Sequence, residues 1–224
     1  MDLFKRPLDL THHSYSEVKE LCESCTRCGL SKTRHSVVVG SGPVPCSLML
    51  IGEAPGETVD LQGLPFVGKA GQLLTKIFEA VQIHRDTDVY ITNIVKCRPP
   101  ENRVPQSDEV DACAPYLEAQ IQLVQPRILL LAGSPSVKTI LKNDTPITKI
   151  RGQWFRYSST IMAMPLFHPA YLLRNQSRAI GSPKWLTWQD MKEVRGALDL
   201  LAEAGEIPKL GHSAPKEEAD VHSA

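Results

Sequence analysis

The stretch SLMLIGEAPGE, residues 47–57, decides the fold. Five small or apolar residues in a row, 47–51, predict a short strand that is buried on both faces. Gly52 allows a sharp turn directly after this strand, and Pro55-Gly56 predicts a second tight turn. Glu53 therefore stands at the carboxyl end of a buried strand, where open α/β sheets bind their ligands. On this stretch alone, a polar turn residue in a βα loop is the plainer interpretation.

The composition indicates a globular protein that works in a reducing compartment. The chain has 224 residues, of which 42% are hydrophobic and 22% are charged. No apolar run approaches the ~20 residues of a membrane span, and the N-terminus lacks the layout of a signal peptide. We therefore expect a cytoplasmic protein without a membrane contact, whose cysteines serve metals or catalysis more often than disulfides. Residues 1–204 are predicted to form one domain, and residues 205–224, rich in Glu, Lys, Pro and Ala, a disordered tail.

Strand and helix patterns alternate along the chain. The strand patterns are β-branched or continuously apolar, and they cover residues 47–51, 89–95, 127–133 and 160–167. The helical patterns cover residues 68–82, 107–124, a short segment from Ser134 and residues 189–204. Ser107 and Ser134 are predicted as N-caps. Repeated βα units predict an α/β protein with a mainly parallel sheet and helices on both faces.

Polar side chains stand at the ends of three of these strands. Glu53 follows the first strand, Asn93 lies near the end of the second, and His168 follows the fourth. The carboxyl ends of parallel strands meet at one edge of a sheet, so these three side chains are predicted to line one pocket. A single histidine is more often structural, but three polar groups at three like-oriented strand ends favour a functional site.

The six cysteines suggest a metal centre. CESCTRC, residues 22–28, overlaps two C-x2-C units, which is a chelating spacing. Cys97 closes the segment NIVKC, and Cys113 falls in the first turns of the following helix. Four thiolates from these segments would fasten the N-terminal segment to the loop after Asn93. Spacing alone does not distinguish zinc from an iron–sulfur cluster.

Charge is distributed unevenly although the formal net charge is zero. Residues 151–188 contain five cations and no acid; the cations are Arg151, Arg156, Arg174, Arg178 and Lys184. A basic face of this kind suits a polyanion. It is equally compatible with a solvated surface whose acids come from elsewhere in the chain.

Four motifs carry a resemblance to a known family. GEAPG, GLPFVGKAGQLL, ITNIVKCRPPENR and FHPAYLLRN, in this order, resemble the family 4 uracil-DNA glycosylases, iron–sulfur enzymes of bacteria and archaea. The likeness extends from about Cys25 to Ala202. It implies a three-layer α/β/α sandwich around a central, mainly parallel four-stranded sheet. It also implies a [4Fe–4S] cluster on Cys25, Cys28, Cys97 and Cys113, with Cys22 and Cys46 outside the ligand set.

The resemblance implies a monofunctional DNA-repair hydrolase that flips uracil out of DNA and cleaves its N-glycosidic bond, leaving an abasic site. The implied uracil contacts are Gly52, Glu53, Ala54, Phe66, Asn93 and His168. Phe66 would stack on the base, Asn93 would distinguish uracil from cytosine, and His168 would stabilise the charge on the departing uracil. Glu53 would orient the attacking water. The family tends to carry a run of acids after the glycine turn, where this chain has ETVD, residues 57–60.

The expected partner is uracil-containing DNA, single- or double-stranded, bound by a monomer. Leu172, Leu173 and Arg174 would fill the gap left by the flipped base and hold nearby phosphate, although one leucine is expected in the core. Further candidate backbone contacts are Arg98, Arg103, Arg151, Arg178 and Lys184.

Two alternatives compete with this function. One is a related glycosylase that crosslinks covalently to DNA through a histidine in a basic loop, which KCRPPENRVP lacks. The other is a non-catalytic iron–sulfur DNA-binding protein, which the presence of Glu53, Asn93 and His168 disfavours.

Overall fold

The computed structural model describes residues 8–205, and its centre is a five-stranded sheet with strand order β2-β1-β3-β5-β4. The strands are β1 (Leu48–Gly52), β2 (Tyr90–Asn93), β3 (Ile128–Ala132), β4 (Phe155–Arg156) and β5 (Met162–Leu166). β1 pairs in parallel with β2 and β3, and β3 pairs in parallel with β5. The four predicted parallel strands are thus confirmed. The fifth, β4, is an antiparallel two-residue addition at the edge that the sequence pattern did not predict.

Alternating side chains of the buried strands build two apolar cores. All five residues of β1 are buried. Met49 and Ile51 pack with Leu117 and Ile121 on one side of the sheet. Leu48 and Leu50 pack on the other side, with residues of the helices at 69–79 and 183–204. Burial on both faces explains why the strand has no polar alternation, and it confirms the predicted α/β/α layers.

Eight α-helices surround the sheet within residues 8–205. They are α1 (Tyr15–Glu23), α2 (Glu57–Gln62), α3 (Lys69–Glu79), α4 (Ser107–Val124), α5 (Ser134–Leu141), α6 (Ile147–Ile150), α7 (Pro169–Arg174) and α8 (Pro183–Ala204). α3, α4, α5 and α8 correspond to the predicted helices. None of the helices in the described range is long and apolar enough to cross a membrane.

Three helix starts differ from the prediction. Ser107 is the first residue of α4, and Gln106 is its cap because Gln106 forms a reciprocal capping box with Glu109. In α5 the cap is Gly133 rather than Ser134. α8 begins at Pro183 instead of residue 189, because the Ser182 side chain accepts the Trp185 amide and caps the helix. Except for Gly205, the predicted tail lies outside the described residues.

The carboxyl ends of the parallel strands lie level with one another. Gly52 is paired with Asn93 across β1 and β2, and Ala132 is paired with Leu166 across β3 and β5. His168 follows two residues after Leu166 and caps α7. The sheet therefore brings the chain segments that bear Glu53, Asn93 and His168 to one edge, as the order of strands in the sequence predicts.

Candidate active site

A cleft of about 620 Å³ opens at the carboxyl edge of the sheet. Five predicted uracil contacts line it: Glu53, Ala54, Phe66, Asn93 and His168. Its size falls in the range of ligand pockets, about 300–1,000 Å³. The sixth, Gly52, is not among the described residues that line the cleft; it lies behind them, where a Cβ would meet both the Asn93 amide and the Phe66 ring.

Gly52 is required for this arrangement. A Cβ placed on Gly52 would lie 2.4 Å from Asn93 Oδ1 and 2.6 Å from Phe66 Cζ. No side chain larger than hydrogen fits there without displacing one of the two groups. The glycine after the first strand therefore serves close packing of the floor, in addition to the turn that the sequence suggested.

Asn93 carries a buried acceptor without a protein partner. The residue is 2% exposed, and its Oδ1 has no hydrogen-bond partner among residues 8–205. Buried polar atoms are nearly always hydrogen-bonded. An unsatisfied acceptor in a cleft wall therefore indicates a ligand that brings a donor.

Phe66 is held in a conformation that its own sequence does not favour. Its φ is +52°, and it is 8% exposed. Arg85 Nη1 donates to the Phe66 carbonyl over 2.8 Å, and Arg85 Nη2 donates to the Pro65 carbonyl. A Cβ on Gly71 would collide with the same Phe66 carbonyl. Arg85 thus holds the backbone at Phe66, and Gly71 allows the Phe66 carbonyl to approach closely. Neither residue was identified from the sequence, since Arg85 is 19 residues away.

His168 lines the cleft as a neutral imidazole. Burial, and to a smaller extent the charge of Arg174, lower its pKa to about 4. Its Nδ1 accepts the Ala170 amide over 3.1 Å, so the proton of the neutral ring lies on Nε2. The imidazole ring lies 5.8 Å from the Phe66 ring, centroid to centroid. His168 therefore has a fixed orientation and one hydrogen-bond donor to offer a ligand.

Among residues 8–205, two carboxylates line the cleft, the partly buried Glu53 and the exposed Glu57. Burial raises the pKa of Glu53 above its ordinary value. The backbone is fixed at this point because the Val95 amide donates to the Glu53 carbonyl over 3.3 Å. A carboxylate with a raised pKa in a cleft is suited to accept a proton from water.

The two acids that follow Glu53 differ in their surroundings. Asp60 is 4% exposed, and its carboxylate accepts the backbone amides of His35 and Ser36 at 3.0 Å. Glu57 is exposed and lies 3.9 Å from the Arg98 guanidinium. Asp60 is therefore a structural carboxylate that anchors residues 35–36, and it is unavailable for catalysis.

The predicted DNA contacts divide into buried and accessible residues. Leu172 is 1% exposed and belongs to the core, as expected for one of the two leucines. Leu173 is partly exposed, whereas Arg174 is exposed and lines the cleft. Arg178 is also exposed. Leu173 is consequently the leucine that remains accessible to DNA.

Other predicted cations have protein partners. Arg151 Nε donates to Asp190 Oδ2 over 2.8 Å, and Asp190 is 1% exposed. Arg103 makes a bidentate pair with Glu109, at 2.8 and 2.6 Å. Arg98 Nε donates to Asn102 Oδ1 over 2.8 Å. The acid-free segment 151–188 thus meets an acid from α8 at Arg151, which is a stabilising contact within the protein.

The cysteines predicted as ligands line one small cavity. Cys25, Cys28, Cys97 and Cys113 all contribute to it, and so does Cys22. Cys46 lies elsewhere, where its thiol donates to the Leu48 carbonyl over 3.2 Å. In residues 8–205, however, no three Cys, His, Asp or Glu side chains stand close enough together to hold a metal ion. The donors share a cavity, and their side chains are not arranged as a formed metal site.

The surroundings of this cavity suit a negatively charged occupant. Arg27, Arg34 and Lys96 line it, and none of the carboxylates within residues 8–205 does. Arg34 Nη1 donates to Cys97 Sγ over 3.3 Å. Burial raises the pKa of Cys97, and the Arg34 hydrogen bond opposes this shift. A set of thiols alone selects soft centres such as zinc or an iron–sulfur cluster, so the residue types fit the predicted group.

Comparison with known proteins agrees with this geometry. The uracil DNA glycosylase superfamily matches residues 39–192 of the chain. A type-4 uracil-DNA glycosylase of Sulfurisphaera tokodaii is 40% identical over 190 residues, which is 81% of this chain and 84% of that protein. The type-4 enzyme of Thermotoga maritima is 42% identical, over 73% of this chain and 85% of its own length. That of Saccharolobus solfataricus is 43% identical, over 67% and 73%.

Proposed function

The chain belongs to the uracil DNA glycosylase superfamily and within it to the type-4 uracil-DNA glycosylases, and from this membership we propose that it excises uracil from DNA. The product is free uracil and an abasic site. The observation that carries the proposal is the buried, unsatisfied Oδ1 of Asn93 in the cleft floor. Uracil supplies the missing donor, because its N3–H points along the same edge as its O4 acceptor.

Base selection follows from the Asn93 carboxamide. Its Oδ1 accepts uracil N3–H, while its Nδ2 donates to O4. Cytosine has an acceptor at N3 and a donor at C4, so the same amide would meet a like group at both positions. Leaving buried polar groups unpaired costs about 1–3 kcal/mol each, which is a strong basis for rejection.

The other floor residues position the base. The Phe66 ring provides the surface on which uracil stacks, and the Ala54 backbone lies in the wall of the same cleft. His168 presents Nε2–H to uracil O2. The hydrogen bond strengthens as the C1′–N1 bond breaks, because the electron pair of that bond moves onto the base.

Glu53 acts on the water. Water attacks C1′ and provides the hydroxyl group of the product sugar, and its proton passes to the Glu53 carboxylate or to the departing uracil anion. The negative charge of Glu53 also offsets the positive charge that develops on the sugar. The raised pKa of Glu53 supports the role of proton acceptor.

The proposal includes a [4Fe–4S] cluster on Cys25, Cys28, Cys97 and Cys113. It is supported by the shared cavity, the all-thiol donor set and the cationic lining. The cluster would join the N-terminal segment to the loop after β2, which is a structural contribution. Iron and sulfide analysis of anaerobically purified protein tests this: Cys25→Ser should lose the cluster and Cys22→Ser should retain it. One zinc without iron, or cluster loss from Cys22→Ser, would contradict the ligand set.

The proposed DNA contacts are Arg174, Arg98 and Arg178 on phosphate and Leu173 at the position vacated by uracil. Binding by a monomer in the cytoplasm, on single- or double-stranded DNA, completes the proposal. Contacts of this kind are independent of flanking sequence.

Release of uracil under single-turnover conditions tests the function. Wild-type protein should free uracil from single- and double-stranded oligonucleotides that contain it. Asn93→Asp, which replaces a donor by an acceptor, should lose uracil release while it keeps DNA binding. Binding of DNA without release by the wild-type protein would instead support the non-catalytic alternative. A protein–DNA adduct that survives denaturation would support the crosslinking glycosylase.

A further inference from the structure

Lys96 is a buried cation that the proposed catalytic steps do not use. It is 1% exposed, although lysine is almost never fully buried unless it is paired. Its Nζ donates to Thr92 Oγ1 over 2.7 Å and to the Asn93 carbonyl over 2.6 Å. Both partners are neutral, so neither balances the charge.

One end of the lysine fixes the end of β2. Thr92 Oγ1 lies 2.8 Å from the Val39 carbonyl, to which it donates, so the contact continues into a buried network. The Asn93 carbonyl is the backbone group of the residue whose side chain forms the cleft floor. An ammonium that holds this carbonyl restrains the peptide from which the Asn93 carboxamide projects.

The same side chain lines the cysteine cavity. Cys97 follows it directly in the chain, and the part of the cavity lining that the described residues form contains cysteines and no acid. A buried ammonium without an anionic partner costs several kcal/mol. A metal centre held by thiolates carries negative charge and would supply that partner.

We propose that Lys96 is a positioning residue that links the metal–thiolate centre to base recognition. Its charge stabilises the anionic centre, and its hydrogen bonds hold Asn93 in the orientation that accepts uracil N3–H. The inference rests on the proposed function, and it assigns to the centre an effect on the substrate cleft through one side chain. It predicts that removal of the charge changes both sites, although Lys96 touches neither the base nor the DNA.

Lys96→Met tests the link, since methionine has similar length and neither charge nor donors. Lys96→Arg retains the charge, and Lys76→Met removes an exposed lysine of α3 as a control. Two properties are measured on metal-loaded protein: the midpoint potential of the cluster, and the Kd of free uracil by calorimetry. For protein that holds zinc, the rate of metal loss to a chelator replaces the potential.

Lys96→Met should shift the potential to more negative values, or speed metal loss, because a nearby positive charge is gone. It should also raise the Kd of free uracil about tenfold, which corresponds to the loss of one hydrogen bond to a charged group. Lys96→Arg should return the potential towards that of the wild type, and Lys76→Met should change neither property. A role in packing alone would not move the potential.

The two hypotheses fail in different ways. Wild-type protein that releases no uracil refutes the proposed function. An active wild type, together with a Lys96→Met protein of unchanged potential and unchanged uracil Kd, refutes the link alone. If Lys96→Met does not fold, Lys96→Arg decides. A folded Lys96→Arg protein that binds free uracil and retains its metal as the wild type does supports the link. A folded Lys96→Arg protein that loses its metal as fast as unfolded protein refutes it.

Discussion

Substitution of Gly52 by alanine tests the geometry of the cleft floor most directly. The added methyl group would lie 2.4 Å from Asn93 Oδ1 and 2.6 Å from Phe66 Cζ. Ordinary van der Waals contact begins at 3.4 Å. The Asn93 contact is therefore about 1 Å too short, and the Phe66 contact only slightly less so.

The backbone at Gly52 cannot move to relieve this overlap at low cost. Gly52 is paired with Asn93 in the sheet, and its carbonyl accepts the Ile94 amide over 3.0 Å. The two side chains must therefore shift. A displacement of about 1 Å in a positioning group costs about 10²-fold in rate, so single-turnover uracil release should fall by about two orders of magnitude.

The same substitution should leave a folded protein. Overpacking of a core costs about 1–3 kcal/mol, against a total stability of about 5–15 kcal/mol for a domain. DNA affinity should hardly change, because phosphate contacts dominate it. Gly196→Ala, at an exposed helix position with no atom within 4 Å of the new Cβ, is the matched control and should keep full activity.

The assay combines thermal melting, DNA binding by fluorescence anisotropy and single-turnover release from a uracil oligonucleotide. A folded Gly52→Ala protein with wild-type release would show that the Asn93 and Phe66 positions do not limit the reaction. Equal losses of DNA affinity and rate would show that the methyl group disturbs DNA binding instead.

Three further predictions follow from charges and protonation states. As the pH is lowered, the single-turnover rate should fall at a pH above 4.5, because the ionised form of Glu53 is lost as the pH passes through its raised pKa. His168 should stay neutral down to about pH 4 and should not contribute to this fall. A fall centred near pH 6.5 that disappears in His168→Ala would contradict this assignment. Arg174→Ala should reduce the dependence of log K on log salt by about 0.9 on duplex DNA, and an unchanged slope would place this side chain away from phosphate. Arg151→Ala should leave the slope of log K against log salt unchanged and lower the free energy of unfolding by about 3–5 kcal/mol, because Asp190 loses its buried partner. A changed slope at wild-type stability would indicate that Arg151 contacts DNA.

The sequence was sufficient for features that depend on chain order and burial. Strands without polar alternation must be buried by other elements on both faces. Because these strands are parallel, the polar residues that follow them lie at one edge of the sheet. Glu53, Asn93 and His168 were accordingly found from pattern alone. Helix ends were less accessible, because the cap of α8 depends on whether the Ser182 side chain, seven residues before the clear amphipathic pattern begins, accepts the Trp185 amide.

Features that depend on distant partners were beyond sequence reasoning. The Phe66 carbonyl is held by a hydrogen bond from Arg85. No local sequence pattern predicts that an arginine has this role. Arg151 was assigned to DNA because no acid occurs within residues 151–188, yet Asp190 lies two residues beyond that window. Charge patterns along the chain thus describe a surface poorly when a helix folds back across it.

The distribution of charge in the cleft has a physical reason. Its floor consists of a phenyl ring, a carboxamide and an imidazole that burial keeps neutral, and Arg174 lies at its edge. A cationic imidazole in the floor would bind the uracil anion more strongly, but it would also attract any other anion, phosphate included, and burial makes its charge unfavourable. A neutral Nε2–H donor does not attract free phosphate, and its hydrogen bond still strengthens as charge develops on O2 during bond cleavage. In the proposed mechanism, the depressed pKa of His168 keeps anions other than the departing uracil from the floor, while the cations at the rim would hold the DNA.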